Sequence, residues 1–291
     1  MLENWDIQAL DVKTTFLYGD LDEDIYMAQP EGFIIKGQES KVYRLKKAIY
    51  GLKQVSYAWN KQADKSLKSL GFKRCLSDSG IYVRNHIDST ITICVLYVDD
   101  ILFIGNDDST IETIKKKFMG MWECHDLGKI KEYLHIQVNY NQDLGTLVVD
   151  QGLYTLKVVK RFGLENCKPV QTPLPTGYSP LKNKGKCTDE ERSSYQQIIG
   201  SILYLALGTR PDIIYAVILM SQFSANLSPD HIQKALYIVK YIATTLDYKI
   251  VYNTKANNKF VAYADADWAT DRNTCRSING YVLMLAGGAV L

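Results

Sequence analysis

Two apolar runs, residues 91–96 and 101–104, flank the string Tyr97-Val98-Asp99-Asp100. Both runs are short and rich in Ile and Val, so they read as β-strands joined by a tight turn that carries two acids. Residues 5–10 form a further strand-like segment that ends just before Asp11. Between residues 53 and 70, Ala58, Ala63, Leu67 and Leu70 recur at near-helical spacing, and the pattern stops before Gly71. A second helical pattern begins near Ser109, and residues 133–139 and 145–149 read as a hairpin. Downstream, residues 189–207 predict a helix. Pro211 and Pro229 suit the first turns of two more, with Ser228 as an N-cap. Ile232, Leu236, Val239, Tyr241 and Ile242 form an apolar stripe that belongs to a core. Strand-like segments return at residues 260–263 and 281–285. Residues 168–188 are rich in Pro and Lys and read as an extended surface linker, free to move. No internal repeat is present.

Composition narrows this only a little. The 291 residues are 46% hydrophobic and 23% charged, an ordinary globular balance with length for more than one core. A formal net charge of +2 does not announce a nucleic-acid binder. Lys41, Arg44, Lys46, Lys47 and Lys53 do fall in one stretch without an intervening acid, with Tyr43 and Tyr50 among them. Such a stretch could meet phosphates and bases, although charge alone favours a solvated basic face. Lys115, Lys116 and Lys117 read as solvated. The six cysteines show no CxxC spacing and no secretory signal precedes them, so reduced thiols are expected. The four histidines include no HExxH, and Cys124-His125 reads as a structural pair. Apolar runs such as residues 213–220 are too short to span a bilayer, so no membrane partner is expected.

The paired acids carry the candidate chemistry. Two adjacent carboxylates near apolar surface repel and lose hydration, a cost that a divalent cation removes. Mg²⁺ commonly takes one or two protein carboxylates plus phosphate oxygens, which would suit phosphoryl transfer. The alternative is a solvated hairpin turn that happens to read Asp-Asp.

Longer strings bear on that choice. DVKTTFLYGDLDEDIYMAQPEGF (11–33), IYGLKQVSYAWN (49–60), YVDD (97–100), DLGKIKEYLHIQV (126–138), YLALGTRPDI (204–213) and YADADWATDRNTCRSINGYV (263–282) together resemble the reverse transcriptase of copia-type retrotransposon polyproteins. The resemblance keeps the family's order and covers most of the chain. It implies an α+β fold: a polymerase palm-like antiparallel sheet with flanking helices, a helical connection region and an incomplete ribonuclease H-like β segment. The implied divisions are residues 1–167 for the palm region, 168–188 for the linker, 189–258 for the helical thumb-like part and 259–291 for the ribonuclease H-like start.

The resemblance also implies roles. Asp11 and Asp99 would be the main ligands of two Mg²⁺ ions and Asp100 an auxiliary one. Phe16 would pack against the nucleotide sugar, or else be core. Gly51 and Gln54 would lie in the loop that meets template and nucleotide. Asp265 would match the first metal-binding acid of ribonuclease H, while Asp267, Asp271 and Glu190 match none of the others. Implied partners are an RNA template, a DNA primer, dNTPs and the rest of the polyprotein. Three departures stand out. Val55-Ser56-Tyr57 replaces the usual Ala-Pro-Arg, His135 stands where Gly is usual, and the chain begins ten residues before Asp11, without the basic fingers segment. The missing fingers segment leads to an expectation of little or no processive synthesis, and the lone ribonuclease H acid, Asp265, to one of no RNA cleavage. The alternative reading is an inactive remnant that at most binds RNA or RNA–DNA hybrid.

Overall fold

The computed structural model describes residues 5–87, 89–256, 259–266 and 277–290. Asp267, Asp271 and Cys275 lie outside the described residues. The chain divides into two compact units, Glu3–Ile130 and Lys131–Leu291, so the division falls upstream of residues 168–188.

The first unit runs β1 (Asp6–Val12), β2 (Tyr26–Ala28), β3 (Val42–Arg44), α1 (Val55–Ser69), β4 (Lys73–Arg74), β5 (Ile81–Asn85), β6 (Ile91–Tyr97), β7 (Asp100–Gly105), α2 (Asp108–Met119) and β8 (Cys124–Lys129). Six of these strands form one antiparallel sheet in the order β4-β5-β6-β7-β1-β8. Strand alternation sends Leu10, Val12, Cys94, Leu96, Ile101 and Phe103 to one face. There they pack with Trp59, Ala63 and Leu67 of α1 and Ile111, Ile114 and Phe118 of α2. The runs look continuously apolar because Ile93, Val95, Leu102 and Ile104 supply the opposite face. On that face Leu102 is buried and the other three are half-buried.

Two readings of this unit change. Asp11 does not follow the first strand but lies inside it, because Val12 keeps the ladder going with a buried side chain. Lys115 is not solvated: its side chain is only 3% exposed. Its ammonium donates to Gln8 and to Glu112 at 2.8 Å and pairs with Asp126 at 3.1 Å. Burial opposes its charge, but the two carboxylates hold its pKa above the ordinary value.

The second unit begins with β9 (Glu132–Tyr133), β10 (Ile136–Asn141), β11 (Thr146–Asp150) and α3 (Gly152–Arg161). It continues with α4 (Asp189–Gly208), α5 (Ile214–Ser221), α6 (Pro229–Thr244) and β12 (Ile250–Asn253), then β13 (Val261–Ala266), β14 (Asn279–Leu285) and β15 (Gly288–Ala289). Its helices bury Val158, Tyr195, Ile202, Leu205, Val217, Ile238 and Ile242 together. Ser228 caps α6 as its sequence suggests, accepting from the His231 amide. Every described residue of β13 is exposed. No helix of the described residues is long and apolar enough to cross a membrane.

Residues 168–188 contain no helix or strand, but they are no free linker. Val170, Leu174, Tyr178 and Cys187 pack on the helical core. Tyr178 donates to Asp230 at 2.8 Å, and Asn183 donates to the Leu227 carbonyl at 2.6 Å. Thr188 then starts α4 with a reciprocal capping box to Glu191. The prolines preset an extended path, and the apolar residues between them dock it.

Candidate functional site: two facing carboxylates and a strained turn

Asp11 on β1 lies opposite Asp100 on β7. The Val12 amide donates to the Asp99 carbonyl at 2.9 Å. That bond makes Asp11 and Asp100 a non-hydrogen-bonded pair, the antiparallel arrangement that brings side chains closest. On the other side of Asp11, β8 places His125, and beyond Asp100, β6 places Tyr97. The row Tyr97, Asp100, Asp11, His125 therefore crosses four strands on the face away from α1 and α2. Asp99 belongs to the two-residue loop, Val98-Asp99, that joins β6 to β7.

The loop is strained. Val98 has a φ of 54°, a region that β-branched residues avoid and that glycine normally fills at this place in a hairpin. The buried Trp59 holds it from below: its indole N–H donates to the Val98 carbonyl at 2.6 Å. Nothing in the amphipathic pattern of α1 marks Trp59 for this contact. Only its place in the IYGLKQVSYAWN string hints at more than core.

Asp11 is felt by its neighbours. Burial, and then the Asp11 carboxylate, pushes the Cys124 thiol up to about 11, so this cysteine is protonated at neutral pH and offers no thiolate. The row itself offers the Asp11 and Asp100 carboxylates, which suit a hard cation, with the His125 imidazole and the Tyr97 phenol on either side. Among the described residues no three His, Cys, Asp or Glu side chains form a group that could hold a metal ion. A closed cage is not what Mg²⁺ uses in such sites, where substrate phosphates and water complete the shell.

The remaining candidates are placed as follows. Phe16, in the 3-10 turn Thr15–Tyr18, is half-buried against the helix–sheet core and meets Tyr50 edge-on at 4.8 Å. Gly51 has a φ of 96°, and an added Cβ would meet no neighbour within 4 Å, so the backbone conformation rather than crowding calls for glycine. Gln54 precedes α1 and donates to Glu23 at 3.2 Å. Asp265 sits on exposed β13 in the other unit and accepts from the Ala266 amide at 3.0 Å. In the basic stretch, Arg44 pairs with Asp24 and Lys47 with Asp20. Lys41, Lys46 and Lys53 have no ion pair among the described residues and are exposed, as are Tyr43 and Tyr50.

His135 lies in a second two-residue loop, Leu134-His135, between β9 and β10. Both residues have positive φ, 50° and 60°, and the Leu134 carbonyl accepts from Tyr204 of α4 at 2.5 Å. An imidazole-bearing Cβ at such a position costs about 1 kcal/mol relative to glycine. His135→Gly should therefore raise stability by about 1 kcal/mol, read as a higher urea midpoint at unchanged slope. A lower midpoint would mean that the His135 ring, 3.4 Å from Glu132, contributes more than the strain removes.

Comparison with known proteins decides the family. The model described as reverse transcriptase (RNA-dependent DNA polymerase) matches residues 1–176. The chain belongs to the reverse transcriptase family. It is 33% identical to the retrovirus-related Pol polyprotein from transposon TNT 1-94 of Nicotiana tabacum, over 98% of this chain and 22% of that protein. It is 36% identical to the retrovirus-related Pol polyprotein from transposon RE1 of Arabidopsis thaliana, over 97% of this chain and 19% of that one. The putative transposon Ty5-1 protein of Saccharomyces cerevisiae is 31% identical over 97% of this chain and 90% of its own length. The chain thus spans about a fifth of the length of the two plant polyproteins. Within this reverse transcriptase sequence, Asp11, Phe16, Gly51, Gln54, Asp99 and Asp100 all fall inside the matched region, and Asp265 falls outside it.

Proposed function

We propose that the first unit is the palm of an RNA-directed DNA polymerase and that Asp11, Asp99 and Asp100 serve two-metal nucleotidyl transfer. The observation that carries this reading is the close pairing of Asp11 with Asp100 beside a loop that presents Asp99. Asp11 and Asp99 would be the principal ligands of two Mg²⁺ ions and Asp100 the auxiliary one. The ions would stabilise charge on the attacking 3′-oxygen, the transferred phosphoryl group and the leaving pyrophosphate. The acids neutralise and orient, which is most of what a protein supplies to phosphoryl transfer. Phe16, five residues after Asp11, would meet the deoxyribose and exclude a 2′-hydroxyl. Gly51 would let template or nucleotide approach the backbone, with Gln54 beside it. Lys41, Lys46 and Lys53 would meet phosphates of an RNA template and DNA primer, with Tyr43 and Tyr50 offering faces for stacking. Asp265 would belong to a separate ribonuclease H site, and the working partner would be the rest of a Pol polyprotein.

A second reading, binding of RNA–DNA hybrid without synthesis, is favoured by the exposed Lys and Tyr side chains and by the glycine lost at His135. Primer extension on an RNA template separates the two. The polymerase reading expects Mg²⁺-dependent incorporation of dNTPs that disappears in Asp99→Asn. Salt-sensitive binding of the hybrid with no incorporation would leave the binding reading in its place.

A further inference from the structure

The turn that carries Asp99 and Asp100 holds an unfavourable backbone conformation at Val98, and the means that hold it are visible. The Val98 and Asp99 carbonyls are each engaged. Asp99 accepts from the Val12 amide of the neighbouring strand at 2.9 Å, and Val98 accepts from the Trp59 indole at 2.6 Å. With the Val98 carbonyl held by Trp59 and the Asp99 carbonyl held by Val12, neither the Val98–Asp99 nor the Asp99–Asp100 peptide can rotate without breaking a hydrogen bond. The indole itself has little freedom. Trp59 is 1% exposed, lies edge-on to Trp122 at 5.3 Å and contacts Tyr18 at 6.1 Å. A rigid donor on a helix thus fixes a strained loop on the sheet.

From this we propose that Trp59 is a positioning residue for the acid turn. Its N–H sets the Val98 carbonyl and thereby the directions in which the Asp99 and Asp100 carboxylates meet a divalent cation. The proposal rests on the reading of these acids as metal ligands. It goes further by assigning the pre-organisation to one hydrogen bond from α1. A side chain that only filled the core would need the ring and not the N–H. The two roles therefore separate when the donor alone is removed.

Trp122 provides the control, because its indole donates to Ser66 Oγ at 3.2 Å in the same aromatic cluster and not to the turn. Two replacements at position 59 remove the donor: Trp59→Phe, and benzothienylalanine, which keeps the bicyclic shape with sulfur in place of N–H. Benzothienylalanine keeps the comparison usable should the smaller ring unfold the protein. Manganese is titrated into the full chain and followed by electron paramagnetic resonance. Separately, ¹⁵N spectra without metal follow the amides of Val98, Asp99 and Asp100.

Loss of the Trp59 N–H should weaken manganese binding about tenfold, while Trp122→Phe stays within about twofold of the parent, the contrast expected when only one donor supports the ligands. The three turn amides should broaden or shift in the Trp59 variants and stay in place in Trp122→Phe. Unchanged turn amides and unchanged manganese affinity in folded benzothienylalanine protein would overturn the proposal. A parent protein that binds no manganese, yet whose turn loosens on loss of the N–H, would refute the metal reading and leave the clamp standing.

Discussion

Arg210→Met should cost about 3–4 kcal/mol of stability, the range for stripping one partner from a buried ionic network. Arg210 follows α4 and is 3% exposed. Its guanidinium donates to both carboxylate oxygens of Asp212, at 2.9 and 2.8 Å, and to the Thr245 carbonyl and hydroxyl at 3.1 and 2.6 Å. Its flat faces lie 5.6 Å from the Tyr241 ring centre and 5.3 Å from that of Tyr248. One side chain thus ties the end of α4 to the end of α6 and to the segment before β12. Methionine matches the aliphatic stem but removes the Arg210 donors from the Asp212 carboxylate and from Thr245, whose carbonyl keeps only the Tyr248 amide at 3.2 Å. Arg210→Lys should recover less than half of the loss, because an ammonium cannot make the same fork or stack between rings. Urea unfolding followed by far-ultraviolet circular dichroism measures both. A loss below about 1 kcal/mol in Arg210→Met would mean that water replaces the donors and that the network is peripheral.

Asp11→Asn should have the opposite sign in stability and the largest effect on metal binding. Like charges directly opposite on two strands destabilise a sheet by a few tenths to about 1 kcal/mol. Replacing one carboxylate by an amide of equal shape removes that repulsion, so the unfolding midpoint should rise slightly. The same change removes a charged oxygen donor from the proposed hard-cation site. The expected loss in manganese affinity is about 100-fold or more, roughly 2.7 kcal/mol. Asp99→Asn should behave alike, and Asp100→Asn should lose less. A larger loss in Asp100→Asn would exchange the roles of the two turn acids, as the strand register with Asp11 would then explain. A protein that becomes less stable on Asp11→Asn would show that the carboxylate has a structural partner worth more than the repulsion.

Much of this was legible in the chain because periodicity reports local order. The strands around the acid turn, the helix of residues 55–69 and the capped helix from Pro229 all follow from spacing and end signals. What escaped depends on distant partners. Lys115 reads as a surface lysine until β1 brings Gln8 and β8 brings Asp126 to it. Asp11 reads as a residue after a strand, since nothing local reveals that Val12 is buried between β7 and β8. The Pro-rich stretch hides four apolar anchors whose docking surface is a core made by helices on both sides of it in the chain. Trp59 is hardest of all: its acceptor is a backbone carbonyl 39 residues away, and no side-chain pattern encodes a carbonyl's direction. The acids themselves were visible, but their register was not, and the register is what makes them neighbours.

The central claim is that Asp11, Asp99 and Asp100 hold divalent cations together. Its most direct test is manganese binding by the full chain with an RNA template, a dideoxy-terminated DNA primer and the matching dNTP, so that phosphate oxygens are present but no bond forms. The account predicts two manganese ions per complex in the parent, lost in Asp11→Asn and Asp99→Asn and retained in Asp265→Asn. Equal manganese occupancy in the parent and in Asp11→Asn would contradict it.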